Sequence, residues 1–144
     1  SNERVTAYFK GKLESEGFEV TVYEKEGFEV MEDTVESFKN RYDLVLYLAN
    51  IETASNKTVS RLNWHTMFGL GNNMPWMVYE LPVAFISIGN PYHLLDAPMV
   101  KTYINGYCNS EYVMDAVVEK MMGRSEFKGT SPIDPFCGKI DLRF

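Results

Sequence analysis

The sequence predicts an α/β domain, a three-layer sandwich with a mainly parallel sheet of the Rossmann or flavodoxin-like type. Three observations carry that expectation. Residues 44–49 (Leu-Val-Leu-Tyr-Leu-Ala) and 83–88 (Val-Ala-Phe-Ile-Ser-Ile) are apolar runs without clean polar alternation, the pattern of strands covered on both faces. Both are therefore expected to be central. Stretches of helical periodicity alternate with these runs, as crossover helices on a parallel sheet do. Finally, the chain opens on a helix, whereas each helix of such a fold crosses over from a preceding strand. The expectation is a sheet that has lost its first strand and whose free edge is able to pair with a second copy.

In order, residues 4–16 form an amphipathic helix, with Val5, Tyr8, Phe9 and Leu13 at spacings of three and four. Gly17 stops it. Phe18, Val20 and Val22 alternate with Glu19, Thr21 and Tyr23, which predicts a half-exposed strand nearer an edge. Residues 24–31 read as a charged loop. Asp33 and Glu36 have capping-box spacing ahead of a short helix with Val35, Phe38 and Tyr42 on its buried stripe. The run at 44–49 follows, and then a long irregular region containing Trp64, Gly69, Gly71 and Asn73. Pro75 opens a short crossover helix through Tyr79, which Pro82 ends. Beyond the run at 83–88, residues 99–104 form a further strand turned by Asn105-Gly106. Ser110 caps a helix to Met122 whose wide apolar face (Val113, Ala116, Val117 and Met121, flanked by Met114, Val118 and Met122) calls for more than one packing neighbour. The tail, residues 123–144, carries Gly129, Pro132, Pro135 and Gly138 and is expected to wrap irregularly, anchored by Phe127, Ile133 and Phe136.

At 144 residues, with 45% hydrophobic and 24% charged residues, the chain has the size and composition of one globular domain. A net charge of -6 disfavours a phosphate backbone as partner, so nucleic acid is not expected. No apolar run approaches the roughly 20 residues that span a bilayer, so no membrane partner is expected either. Cys108 and Cys137 fit no metal-ligand spacing, and no metal or cofactor is expected.

The most informative stretch is residues 82–96, Pro-Val-Ala-Phe-Ile-Ser-Ile-Gly-Asn-Pro-Tyr-His-Leu-Leu-Asp. Gly89, Asn90 and Pro91 turn the chain at the carboxyl end of a strand, the end at which open α/β sheets meet ligands. Asn90, Tyr92 and His93 are candidate contacts to a sugar or to another domain, although Asn90 and Pro91 also answer to turn chemistry alone. Trp64 and Trp76, set among Gly and Asn, are able to stack on sugar faces or to pack on protein. Cys108, between a strand and a helix start, offers a rival enzymatic reading with His65 or His93 as base. The glycines of a nucleophile elbow are missing around it.

Three stretches together resemble the C-terminal domain of glycoside hydrolase family 3, in its bacterial β-N-acetylhexosaminidase branch. They are Tyr-Asp-Leu-Val-Leu-Tyr-Leu-Ala-Asn at 42–50, the segment at 82–94 with its Asn-Pro-Tyr-His-Leu loop, and the tail Met-Gly-Arg-Ser-Glu-Phe-Lys-Gly-Thr-Ser-Pro-Ile-Asp-Pro-Phe-Cys-Gly from Met122. The resemblance implies a parent enzyme whose N-terminal (β/α)8 barrel removes terminal β-linked N-acetylglucosamine with retention. It implies no catalytic residue here, since nucleophile and acid/base in that branch lie on the barrel. Glu80 and Glu111 lack the flanking pattern that would carry over the acid/base of the glucosidase branch. The expected partners are the barrel, a carbohydrate at the domain junction, and a second copy through edge pairing. The alternative is a free-standing flavodoxin-like binding or regulatory module.

Overall fold

The computed structural model describes residues 1–25, 27–51, 61–62, 64, 75 and 77–139. Helix α1 (Asn2–Ser15) is followed by a 3₁₀ helix over Gly27–Glu32 and by α2 (Val35–Arg41). Strands β1 (Val45–Ala49), β2 (Val83–Ser87) and β3 (Thr102–Asn105) come next, with a second 3₁₀ helix, Pro91–Leu95, between β2 and β3; α3 (Glu111–Met121) closes the order. The strands form one parallel sheet in the order β1-β2-β3, which is the α/β sandwich that the two apolar runs predict.

Alternation along the strands sorts two cores. Leu46 and Leu48, Ile86 and Ile88, and Ile104 face α1 and α3 and pack on Val5, Phe9, Leu13, Met114, Val117 and Val118. The opposite face turns Tyr47, Phe85 and Tyr103 toward Phe38 of α2 and toward Met77, Leu81, Ala97 and Val100. Tyr47 pairs in register with Phe85, and Phe85 with Tyr103. Their rings stack across the sheet, at 6.1 Å and 5.4 Å between centroids and 13° and 10° between planes. Such pairs add about 0.5–1.5 kcal/mol each beyond area burial. All five residues of β2 are buried, whereas four of the five in β1 are only half-buried.

That difference corrects one expectation. Among the described residues β1 pairs with β2 alone, so in the described ladder it stands at an edge and not at the centre. An apolar run reports that both faces of a strand are covered, not that both of its edges are bonded. The strand expected over residues 18–23 is also absent from the described ladder: the segment has no regular secondary structure, and side chains hold it instead. Val20 packs on the core beneath α1, and the Tyr23 hydroxyl donates to Asp33 at 2.7 Å.

Asp33 is a second correction. The cap of α2 is Thr34, which forms a reciprocal box with Ser37, their hydroxyls receiving each other's backbone N–H at 3.1 Å and 2.9 Å. Asp33 turns inward, 2% exposed, and accepts from Tyr23, from Lys25 Nζ at 3.0 Å and from Arg41 Nη2 at 2.7 Å. Burial alone would raise its carboxyl; these three donors outweigh that and hold it below the usual carboxylate range. One buried carboxylate thus ties the segment after α1 to α2.

Other elements follow the sequence more closely. Gly17 ends α1 with φ 94°, while Gly17 N–H bonds the Glu14 carbonyl and Phe18 N–H that of Leu13. Ser110 caps α3 by accepting from Val113 N–H. The loop expected at 24–31 contains the first 3₁₀ helix, nailed down by a fully buried Val30. The crossover helix expected from Pro75 is, over Met77–Glu80, a turn closed by the N–H groups of Glu80 and Leu81 on the Met77 carbonyl. In the tail Phe136 is buried but Phe127 is 58% exposed, resting under the Lys120 ammonium instead of in the core.

Candidate functional site

The carboxyl edge of the sheet is built by close backbone approach. A Cβ on Gly89 would lie 2.9 Å from the Ile51 carbonyl oxygen, so only glycine lets the chain leave β2 against the end of β1. Gly106, leaving β3, sits as close to Val113 of α3. Asn50, after β1, links the start of α1 to the segment ahead of α3: its amide donates to Asn2 Oδ1 at 2.9 Å and its oxygen accepts from Asn109 Nδ2 at 3.1 Å.

The loop after β2 is then set residue by residue. Asn90, 8% exposed, stays extended (φ -106°, ψ 121°) and caps the second 3₁₀ helix by accepting from Tyr92 N–H at 2.8 Å; Pro91 supplies the fixed φ of the next position. His93 is fully buried. It contacts Ser87 Oγ through Nδ1 at 2.9 Å and stands edge-on to Phe85. Burial lowers its pKa, partly countered by the Asp96 charge. Tyr92 points outward, 48% exposed.

Asp96 locks the loop to the chain before it. Its carboxylate takes Arg61 Nε at 2.6 Å and Leu62 N–H at 3.1 Å, and its carbonyl takes Trp64 Nε1 at 2.5 Å. Burial opposes ionisation, but Arg61 and the Leu62 amide hold the carboxyl below its usual range. Trp64 meets Tyr47 and Phe85 edge-on, with centroids at 5.7 Å and 6.4 Å. Of the sequence-nominated residues, Asn90, His93 and Trp64 therefore serve the loop's own architecture, and Tyr92 is the one turned to solvent. Trp76 and His65 lie outside the described residues. Cys108 is exposed beside Tyr107, whose φ of 62° is left-handed, while His93 is fully buried on Ser87.

Two clefts flank the sheet. One, of about 290 Å³, lies at the carboxyl end of β1 between Asn2, Tyr47, Asn50, Leu62 and Trp64. The other, of about 650 Å³, lies at the amino ends of β2 and β3 and is lined by Tyr79, Glu80, Pro82, Lys101, Met121 and Phe127 among others. Among the described residues neither is lined by two carboxylates, which a retaining glycosidase holds about 5 Å apart across the sugar. Glu80 sits at the amino end of β2, and Glu111, at the start of α3, pairs with Arg4 at 2.8 Å. Among the described residues no group of three His, Cys, Asp or Glu is placed to hold a metal, and no helix is long and apolar enough to cross a membrane. Sequence reasoning missed Asp96, Arg61 and the buried group round Ser87. A serine inside an otherwise apolar strand was the available signal for the last.

Fold and site together define an α/β sandwich domain that presents a rigid, partly aromatic loop from its carboxyl edge. No family model matches the chain. It is 46% identical over 101 residues to a β-N-acetylglucosaminidase/β-glucosidase of Cellulomonas fimi, a match covering 70% of this chain and 18% of that protein. The solved structure of the β-glucoside phosphorylase BglX superposes with a TM-score of 0.78 at 43% identity, over 96% of this chain and 24% of that one. Its complex with 2FGlc gives 0.76 at 43%, over 93% and 23%. The chain thus spans less than a quarter of the length of these relatives. Its homologues are family 3 glycoside hydrolases, which this small chain matches as a C-terminal domain.

Proposed function

We propose that this chain is a non-catalytic C-terminal domain of a retaining β-N-acetylhexosaminidase, stabilising or shielding a catalytic (β/α)8 barrel that removes terminal β-N-acetylglucosamine. The observation that carries the reading is the coverage: an α/β unit that accounts for most of this chain matches less than a quarter of each relative. The lack of a two-carboxylate cleft among the described residues supports a non-catalytic role. In this reading the loop of Asn90, Tyr92 and His93 meets the barrel, with Tyr92 making the contact and Asn90 and His93 holding it in place; any sugar contact by Tyr92, Trp64 or Trp76 exists only at that junction. The experiment is to sequence the reading frame upstream of Glu3. About 250 residues of barrel sequence are expected there; a start codon in their place overturns the reading and favours the free-standing module.

A second reading of the parent's substrate rests on the relatives' own names, which include β-glucosidase and β-glucoside phosphorylase. Assaying the longer enzyme on chromogenic N-acetylglucosaminide and glucoside, with and without phosphate, separates the two: preference for the first substrate supports the hexosaminidase, and phosphate-dependent turnover of the second supports the phosphorylase.

A further inference from the structure

Ser87, 1% exposed, interrupts the apolar run of β2 and faces the same side of the sheet as Phe85. Its hydroxyl has one proton. The Asn90 carbonyl oxygen, 2.6 Å away, can only accept, so the proton is committed there. The 2.9 Å contact with His93 Nδ1 must then take its hydrogen from the imidazole. His93 is thereby fixed as the Nδ1–H tautomer, and Nε2 carries a bare lone pair.

Among the described residues that lone pair is buried without a partner, and so are the Tyr103 hydroxyl and Asn105 Oδ1. All three belong to residues that neighbour Ser87, His93 through its other ring nitrogen. Asn105 faces Ser87 across the β2–β3 register, and Tyr103 stands two residues earlier on the same face. The Tyr103 hydroxyl approaches Ser87 and the Leu94 backbone without closing a hydrogen bond on either. The set comprises two acceptors and one donor, with no carboxylate among them, and Tyr103 keeps its proton because burial pushes its pKa up to about 12. Three such groups left dry would each cost on the order of 1–3 kcal/mol. Among these three groups a cation finds no anionic ligand, and an anion would meet two acceptors. A water molecule matches: it donates twice and accepts once, the usual roughly three bonds of a buried water.

We propose that one buried water donates to His93 Nε2 and Asn105 Oδ1 and accepts from Tyr103, fastening the loop that carries Tyr92 to the sheet. The assignment does not depend on what Tyr92 meets. The test is a near-atomic-resolution crystal structure of this chain together with nitrogen NMR of its histidine-labelled form. Expected are an ordered solvent peak within about 2.7–3.2 Å of all three atoms and a His93 ring protonated at Nδ1 alone. A ring protonated at Nε2, or a direct Tyr103–His93 bond occupying the space, overturns the proposal. Tyr103→Phe, which keeps the ring stack, is expected to lower the folding equilibrium constant roughly tenfold and to empty the solvent peak; an unchanged peak with unchanged stability also overturns it.

Discussion

Asp33→Asn separates two roles that the local sequence leaves superimposed. As a helix cap, Asn serves about as well as Asp, and the substitution would change stability by only a few tenths of a kcal/mol. In the structure Asp33 is instead the shared acceptor of Tyr23, Lys25 and Arg41. Asn keeps one carbonyl oxygen and the shape but removes the charge and one acceptor. Losing one partner of a buried ion pair costs about 3–5 kcal/mol when the other charge stays buried. Here the Lys25 and Arg41 side chains are 29% and 44% exposed and can rehydrate, which reduces the loss to about 2–3 kcal/mol. With a urea dependence of about 2 kcal/mol per molar, that is a midpoint shift of about 1–1.5 M. The carboxyl is held below its ordinary value, about 3.9 in the unfolded chain, so its contribution is complete above that pH and lost as pH falls through the lower folded value. The gap between wild type and variant should therefore close below about pH 4. A midpoint shift under about 0.2 M at neutral pH, or a gap that persists unchanged at pH 2, would refute the buried-hub account.

Other expectations are simpler to state. Phe85→Ala removes the middle ring of the Tyr47–Phe85–Tyr103 stack and should cost about 3–5 kcal/mol by denaturant unfolding; a loss below about 1 kcal/mol would mean that the stack adds little. Gly89→Ala forces a Cβ against the Ile51 carbonyl and should destabilise by about 1–3 kcal/mol, read as a lower thermal midpoint. Tyr92→Ala, exposed and outside both cores, should leave the midpoint within about 0.5 kcal/mol of wild type; a larger loss would show that the ring supports the fold and not a partner. Both exposed thiols should react with a thiol reagent in the native chain, and slow labelling of Cys108 would contradict its placement.

Much of the architecture was legible because burial on both faces leaves a plain mark. The runs at 44–49 and 83–88 became β1 and β2, and the Ser110 and Gly17 boundaries follow from capping chemistry that is local in sequence. What failed depends on partners distant in the chain. Alternation at 18–23 indicates a two-sided extended segment but not a bonding neighbour, so a segment pinned by Tyr23 and Asp33 reads the same as an edge strand. Asp33 has a neighbour-spacing signal for a cap, yet its donors lie eight and ten residues away, and Thr34 takes the cap. At the site, Asn90 and Pro91 announced the turn correctly as turn chemistry. The burial of His93 was not readable, because a histidine among leucines is compatible with either side of the surface; its contact with Ser87, at the end of the strand that leads into the loop, decides it.

The measurement that bears most directly on the proposed role is turnover by the purified chain alone. Incubated with chromogenic β-N-acetylglucosaminide and β-glucoside, with and without phosphate, it should release no more product than a heat-killed control. Release above that control, lost when Glu80 or Glu111 is changed to Gln, would contradict the account and place catalysis within these 144 residues.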